Sequence, residues 1–242
     1  MTNCELSRRT VIGFGGAGIA GAVLGVHGGE AAGVTRHLAG ETYVLAASPA
    51  GATWLPEPGL VRRDITDGKP GVPMELRLAV HREGGGPVAG AGVEVWHCDA
   101  WGYYAGCPSG RPGGEVPAAG AERCGADPET YLRGAQRTGS DGTVVFRTIV
   151  PGWYGRRAPH VHVVVHEDGF SHTGQLFVGD EVADEVRGRE PYRRHGGDGP
   201  ARLAEDRVYP GGGARGGLLT VERAPGERGY TARAVLGLSA AG

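Results

Sequence analysis

At 242 residues with 40% hydrophobic positions, the chain suits one large domain or two small ones and can bury a sizeable core. A net charge of −2 gives no electrostatic reason for a nucleic acid or an anionic membrane as partner. Gly numbers 47, and Lys69 is the single lysine among 25 basic residues; this fits a loop-rich β protein and carries no functional conclusion.

Ser7-Arg8-Arg9-Thr10-Val11-Ile12 leads into a weakly apolar, glycine-rich run over residues 13–26, then small residues near Ala31. That order of charged, apolar and small-residue regions has the layout of an export signal, and the paired arginines resemble a twin-arginine signal. The apolar run, about 14 residues, is short of the roughly 20 that a helical span needs. Residues 1–31 are therefore expected to be removed on export, leaving no membrane partner. Resemblance to twin-arginine signals implies a protein exported already folded, often with its metal loaded. Cys4 departs with the signal. Of the remaining Cys98, Cys107 and Cys124, the last two bracket a Gly/Pro-rich excursion and are the preferred disulfide, worth roughly 3 kcal/mol by loop closure. Cys98 lies in a strand pattern and reads as a small buried hydrophobe.

Residues 32–73, with prolines at 49, 56, 58 and 70, read as an irregular arm whose one strand-like piece is Thr42-Tyr43-Val44-Leu45. From residue 74 the pattern sharpens. Met74-Glu75-Leu76-Arg77-Leu78-Ala79-Val80-His81 alternates as a half-buried strand. The run 91–98 is the next, with Val93, Val95 and His97 on one side and Glu94, Trp96 and Cys98 on the other. After a loop from Asp99 to about Thr130, strands are expected over 131–138 and 142–149, joined at Ser140-Asp141-Gly142. His160-Val161-His162-Val163-Val164-Val165 is β-branched and short, which favours a strand. Further strands fall at 174–178, 218–221 and 230–238, with a helical turn or two over 180–187. Short strands, regular turns and almost no helical periodicity predict an all-β chain folded as an antiparallel β-sandwich over 74–242.

Side chains two apart on a strand share a face, so His160 and His162 point the same way and form a ready pair of metal ligands. A bare His-x-His is as often a solvent-facing histidine beside a satisfied core one. Tyr154, on the bend Pro151-Gly152-Trp153-Tyr154-Gly155, lies close enough in sequence to return its phenol to the same place. With Tyr104 the candidate metal site has two phenols and two imidazoles. A tyrosine near pKa 10 stays protonated at neutral pH. Holding two of them ionised takes a strongly charged cation, and hard oxygen donors with imidazole suit iron(III). Zinc more often takes three His, or His with carboxylate, and no Asp or Glu at a completing spacing stands beside this pair.

Several blocks resemble the intradiol ring-cleaving dioxygenases. They are Asp64-Ile65-Thr66-Asp67-Gly68-Lys69-Pro70-Gly71-Val72-Pro73, Val95-Trp96-His97-Cys98-Asp99-Ala100 with Gly102 and Tyr104, Tyr131-Leu132-Arg133-Gly134, Pro151-Gly152-Trp153-Tyr154, and Arg157-Ala158-Pro159-His160-Val161-His162. His172-Thr173-Gly174-Gln175-Leu176-Phe177 and Pro191-Tyr192-Arg193-Arg194-His195 are similar to the secreted branch of that family. The resemblance implies non-haem Fe(III) held by Tyr104, Tyr154, His160 and His162, with Tyr103 the competitor for the first role. It implies a catecholic substrate and O2 as partners, and a cis,cis-muconate as product. It implies Tyr154 as the ligand that leaves and takes a substrate proton, Arg157 as the charge facing the ring, Arg156 as a solvated neighbour, and Gln175 as a lining residue. Relatives in the secreted branch carry a Thr-Glu-Gly-Pro-Tyr-Tyr-like segment where this chain has residues 49–58, so ring preference is left open. The long helical arm of intracellular catechol dioxygenases has no counterpart in the sequence, which makes a monomer as natural as a homodimer. Two other readings remain at this stage: a non-catalytic secreted β-sandwich binding module, for which the stretch 87–95 would suffice, and a His-x-His zinc hydrolase.

Overall fold

The computed structural model describes residues 42–45, 47–49, 55–105, 129–195, 199–209, 217–226 and 228–239. The export signal and the Cys107–Cys124 pairing lie outside the described residues. Two five-stranded sheets pack face to face. One has the order β1 (Thr42–Leu45), β10 (Tyr230–Leu238), β3 (Pro73–Arg82), β6 (Thr143–Ile149), with β9 (Thr220–Arg223) also on β10. The other runs β2 (Ala47–Pro49), β8 (Phe170–Phe177), β7 (His160–Glu167), β4 (Gly92–Trp96), β5 (Arg133–Arg137). The all-β sandwich expected from the sequence is present. Its pairing is not wholly antiparallel: β10 runs parallel to both β1 and β3. The reason is topological, since β1 and β3 enter from the arm on either side of the last strand, and periodicity carries no information about strand direction.

Alternation decides which side chains meet between the sheets. Leu76, Leu78 and Val80 of β3, Val144 and Phe146 of β6, Val93 and Val95 of β4, and Val161, Val163 and Val165 of β7 are all buried in one cluster. Each such side chain contributes roughly 1.5–3 kcal/mol when fully buried. With its valines pointing inward, β7 turns His160 and His162 to the opposite face of its sheet, which is also out of solvent. Residues 97–105, 150–159 and 199–209 cover that face.

The arm does more than lie over the sandwich. Residues 42–45 pair at the edge of one sheet and residues 47–49 at the edge of the other. On the far side, Val61 bridges Ala135 of β5 and Asp64 bridges Arg147 of β6. The Arg62 guanidinium ties this segment down by donating to the carbonyls of Thr130 and Arg133. Asp64 closes its turn by accepting from the Thr66 amide and hydroxyl. The boundaries differ from expectation in several places. β4 stops at Trp96 instead of continuing to Cys98, β5 begins at Arg133 instead of at 131, β8 begins four residues early at Phe170, β9 is shifted to Thr220–Arg223, and β2 falls within the stretch expected to be irregular. The helix α1 (Asp180–Arg187) sits where expected, with acidic residues in its first turn and Arg187 in its last, matching the helix dipole.

His97 leaves β4 and ties the two sheets together. Its Nδ1 donates to the Cys98 carbonyl at 2.7 Å, and its Nε2 accepts from the Thr148 hydroxyl of β6 at 2.6 Å. Burial holds its pKa down at about 4. An unfolded histidine takes up its proton near pH 6.5. Below that the unfolded chain binds more protons than the folded one, so the stability held above pH 6.5 is lost as the pH falls towards 4. Between pH 7.5 and 5 wild type should lose about 2 kcal/mol more unfolding free energy than His97→Gln, measured by urea titration. Parallel pH profiles would refute the assignment.

Candidate functional site

Cross-strand register aligns the first row of the site. Trp96 of β4, His162 of β7 and Gln175 of β8 are direct partners, as are His160 and Phe177 one step along. Trp96 stacks on the His162 ring at 4.9 Å with the planes 5° apart, and Phe177 lies 5.6 Å from the His160 ring. Both imidazoles are thereby held from the side by aromatic surface.

The two tyrosines arrive on loops that pack backbone against backbone. The Asp99 carbonyl accepts from the amides of Gly102 and Gly152, which joins the loop after β4 to the loop before β7. A Cβ on Gly102 would stand 2.2 Å from the Trp153 carbonyl oxygen, and one on Gly152 would stand 2.4 Å from that of Asp99. Gly102 also has φ +89°, a conformation closed to most side chains. The Asp99 carboxylate organises the loop from within by accepting from the Trp101 and Tyr103 amides. Burial pushes its pKa up, while those amides and the Lys69 ammonium, 3.6 Å away, act in the opposite sense. On the other loop Trp153 stacks on His195 at 4.5 Å and on Tyr192 at 6.3 Å. His195 also donates to the Trp153 carbonyl. Tyr192 donates to the Val150 carbonyl and accepts from the Val72 amide. The block Pro191–His195 is therefore a buttress for the tyrosine loop.

Four donor atoms converge as a result. The Tyr104 hydroxyl lies 3.2 Å from His162 Nε2, 3.4 Å from His160 Nε2 and 3.5 Å from the Tyr154 hydroxyl. The Tyr154 hydroxyl lies 3.5 Å from His160 Nε2. His160 Nδ1 sits 2.7 Å from the Ala158 carbonyl, to which it can only donate. The neutral ring then has its lone pair on Nε2, facing the other three donors. Burial first, then the charge of Arg157 and the neighbouring His162, keep the His160 pKa well below its ordinary value. The site thus combines a neutral imidazole, a second imidazole and two phenols in a buried space. Lone pairs brought together this way suit a cation at their centre, and the oxygen-and-imidazole set fits iron(III).

Arg157 is buried while Arg156 is exposed, as the sequence suggested. Its Nη1 donates to the Tyr154 hydroxyl at 3.4 Å, its Nη2 donates to Gln175 Oε1, and its Nε donates to Asp206 Oδ2 at 2.9 Å. The structure therefore brings all six expected site residues together: Tyr104, Tyr154, Arg157, His160, His162 and Gln175. Asp206 was missed. It lies 49 residues after Arg157 in a stretch without periodicity, and no local signal marks it. Trp96 could have been found from its place opposite His162. Among the described residues no three His, Cys, Asp or Glu side chains gather as a metal cluster, so the zinc hydrolase reading has two imidazoles there and no third ligand of its usual kind.

A family described as Dioxygenase matches residues 55–182. Catechol 1,2-dioxygenase 1 of Acinetobacter lwoffii is 29% identical over 180 residues, which cover 64% of this chain and 51% of the relative. The chain thus spans about half the length of that curated relative. Among solved structures, an intradiol ring-cleavage dioxygenase from Tetranychus urticae aligns with a TM-score of 0.66 at 24% identity, covering 78% of this chain and 91% of that one. The dioxygenase domain of a carbohydrate-binding fusion from Streptomyces sp. SirexAA-E aligns at 0.52 with 24% identity, covering 80% and 100%. At these identities the structures speak for the fold.

Gly102→Ala should cost more than about 3 kcal/mol, because strain at positive φ adds to a backbone collision. Gly155→Ala, also at positive φ but with open space around its Cβ, should cost about 1–2 kcal/mol. Urea denaturation of the two variants measures the contrast, and equal costs would mean that the two loops are not in contact.

Proposed function

The chain belongs to the dioxygenase family, and on that premise we propose that it is a non-haem iron(III) intradiol dioxygenase acting on a catechol-type ring. Its product would be a cis,cis-muconate carrying both atoms of O2. The observation that carries this reading is the convergence of two phenols and two imidazoles, with the Tyr104 hydroxyl 3.2–3.5 Å from His162 Nε2, His160 Nε2 and the Tyr154 hydroxyl, and the Tyr154 hydroxyl 3.5 Å from His160 Nε2. Tyr104, Tyr154, His160 and His162 would hold the metal. When bound, iron(III) would supply the Lewis acidity and the one-electron chemistry that let a catecholate react with O2.

The protein groups have separable tasks. His160 and His162, on the central strand of their sheet, are rigid anchors. Tyr104 is fixed through its loop by Asp99. Tyr154 sits on a bend at the edge of the cluster, and its phenolate oxygen is the base placed to take a proton from a substrate hydroxyl. Arg157, held buried beside it, provides a fixed positive charge for the negative charge that develops on the ring. Gln175 holds the guanidinium from the far side. Burial of the whole cluster excludes water, which strengthens each of these interactions. A binding module would use the sandwich without giving a role to these buried polar groups.

Purified protein loaded with iron should be red-brown from tyrosinate-to-iron(III) charge transfer. It should consume O2 with at least one of catechol, protocatechuate or hydroxyquinol and form muconate-type products. Stoichiometric zinc in a colourless preparation, or yellow extradiol semialdehydes, would overturn the reading. Tyr154→Phe should shift the band and slow turnover by about 10–100-fold, and an unchanged spectrum would remove Tyr154 from the ligand set.

Export through a twin-arginine signal over residues 1–31 belongs to the same proposal, supported by Arg8-Arg9 ahead of the short apolar run. Replacing both arginines by lysine should retain the full-length chain in the cytoplasm on cell fractionation. Undiminished export would refute it.

A further inference from the structure

We propose that Asp206 is a positioning residue for the site: its carboxylate fixes the guanidinium of Arg157 so that Nη1 faces the Tyr154 hydroxyl. The inference rests on the dioxygenase reading above for its effect on turnover, and on geometry alone for the contact. Arg157 and Asp206 form an ion pair whose side chains are 2% and 0% exposed. Burying a lone guanidinium is costly, so Arg157 can stay in the site only with a carboxylate of this kind beside it.

The carboxylate is met by four donors. Its Oδ2 accepts from Arg157 Nε at 2.9 Å and from the Ala158 amide at 2.8 Å. Its Oδ1 accepts from the Val208 amide at 2.8 Å and the Tyr209 amide at 3.2 Å. An ionised carboxylate is acceptor-only and satisfies all four. A carboxamide in the same place must turn its NH2 towards one of the two donor pairs. It therefore sets N–H against N–H on one side, and even with its oxygen turned to Arg157 it is a neutral acceptor, so the charge-assisted bond to the guanidinium is lost in either orientation.

These contacts also place the 199–209 segment against the site. The Ala201 amide donates to the Arg157 carbonyl at 3.4 Å, and Tyr209 meets Phe177 edge-on at 5.2 Å, with Phe177 packed against His160. Asp206 is thus where a segment distant in sequence is joined to the ligand loop. Three of the guanidinium's nitrogens are committed in three directions: Nε to Asp206, Nη2 to Gln175, Nη1 to Tyr154. Two of those contacts are enough to orient a planar group, and they leave Nη1 as the atom aimed at Tyr154.

The test is a double-mutant cycle on the full-length, iron-loaded protein with Asp206→Asn, Arg157→Ala and both, assayed with whichever of catechol, protocatechuate and hydroxyquinol is turned over. Asp206→Asn should lower kcat by about 10–100-fold, with little change in KM, and should shift the visible band of the substrate-free protein. In the Arg157→Ala background the same change should alter neither kcat nor the band further. Losses that multiply, or an unchanged kcat in Asp206→Asn, would overturn the proposal. If Asp206→Asn does not fold, Asp206→Glu takes its place in the cycle, since it keeps an acceptor-only head group and displaces it by one methylene. Wild-type protein without iron or ring cleavage would defeat the functional reading instead. The contact is then read on metal-free protein by solvent exchange at the Arg157 Nε proton, which should quicken about tenfold in Asp206→Asn; unchanged exchange would overturn it.

Discussion

The strict two-residue alternation of β7 is the constraint on which the site depends. Its valines fill the space between the sheets, so its histidines have no choice but the other face. A slip of one residue would put two imidazoles into the apolar core and three valines into the site. The same burial that stabilises the sandwich therefore fixes the histidines in place. As the central strand of five, β7 is bonded on both sides, so the backbone that carries His160 and His162 is held along both edges.

The tyrosines have no such strand beneath them and depend on contacts made around them. Two glycines let the loops touch, a buried carboxylate gathers the amides of one loop, and Tyr192, Trp153 and His195 brace the other. In the proposed metal site the division is chemically sensible. Histidines on a strand would serve as permanent holders, whereas a tyrosine on a braced bend could change its bonding partner without disturbing a sheet.

How much of this could be read in the sequence varies with the range of the interaction. The alternation of β7 and β3 is local and was legible, as was the contrast between exposed Arg156 and buried Arg157 once the motif was in view. The place of Tyr104 required the whole Asp-Ala-x-Gly-x-Tyr block, because a loop has no period of its own. The early start of β8 was hidden: Phe170-Ser171-His172-Thr173 has no apolar alternation, and its strand pairing with β2 is an edge contact made through the backbone by a segment distant in sequence. Asp206 was illegible for a different reason. Its partners are an ion pair 49 residues away and two amides of its own turn, and neither leaves a pattern. The parallel course of β10 beside β1 and β3 is likewise a property of the assembled sheet.

The arm also takes up backbone groups that would otherwise stand open at the borders of the sheets. A two-sheet sandwich has four open borders, and every open border offers free amides and carbonyls to a neighbouring chain. Here β1 and β2 occupy one flank, and Val61 and Asp64 bridge β5 and β6 on the other. A segment apart from the site residues thus pairs with β10 and β8 and bridges β5 and β6. Its loss would leave Tyr104, Tyr154, His160 and His162 in the chain while opening the strand edges it pairs with, and open edges favour self-association.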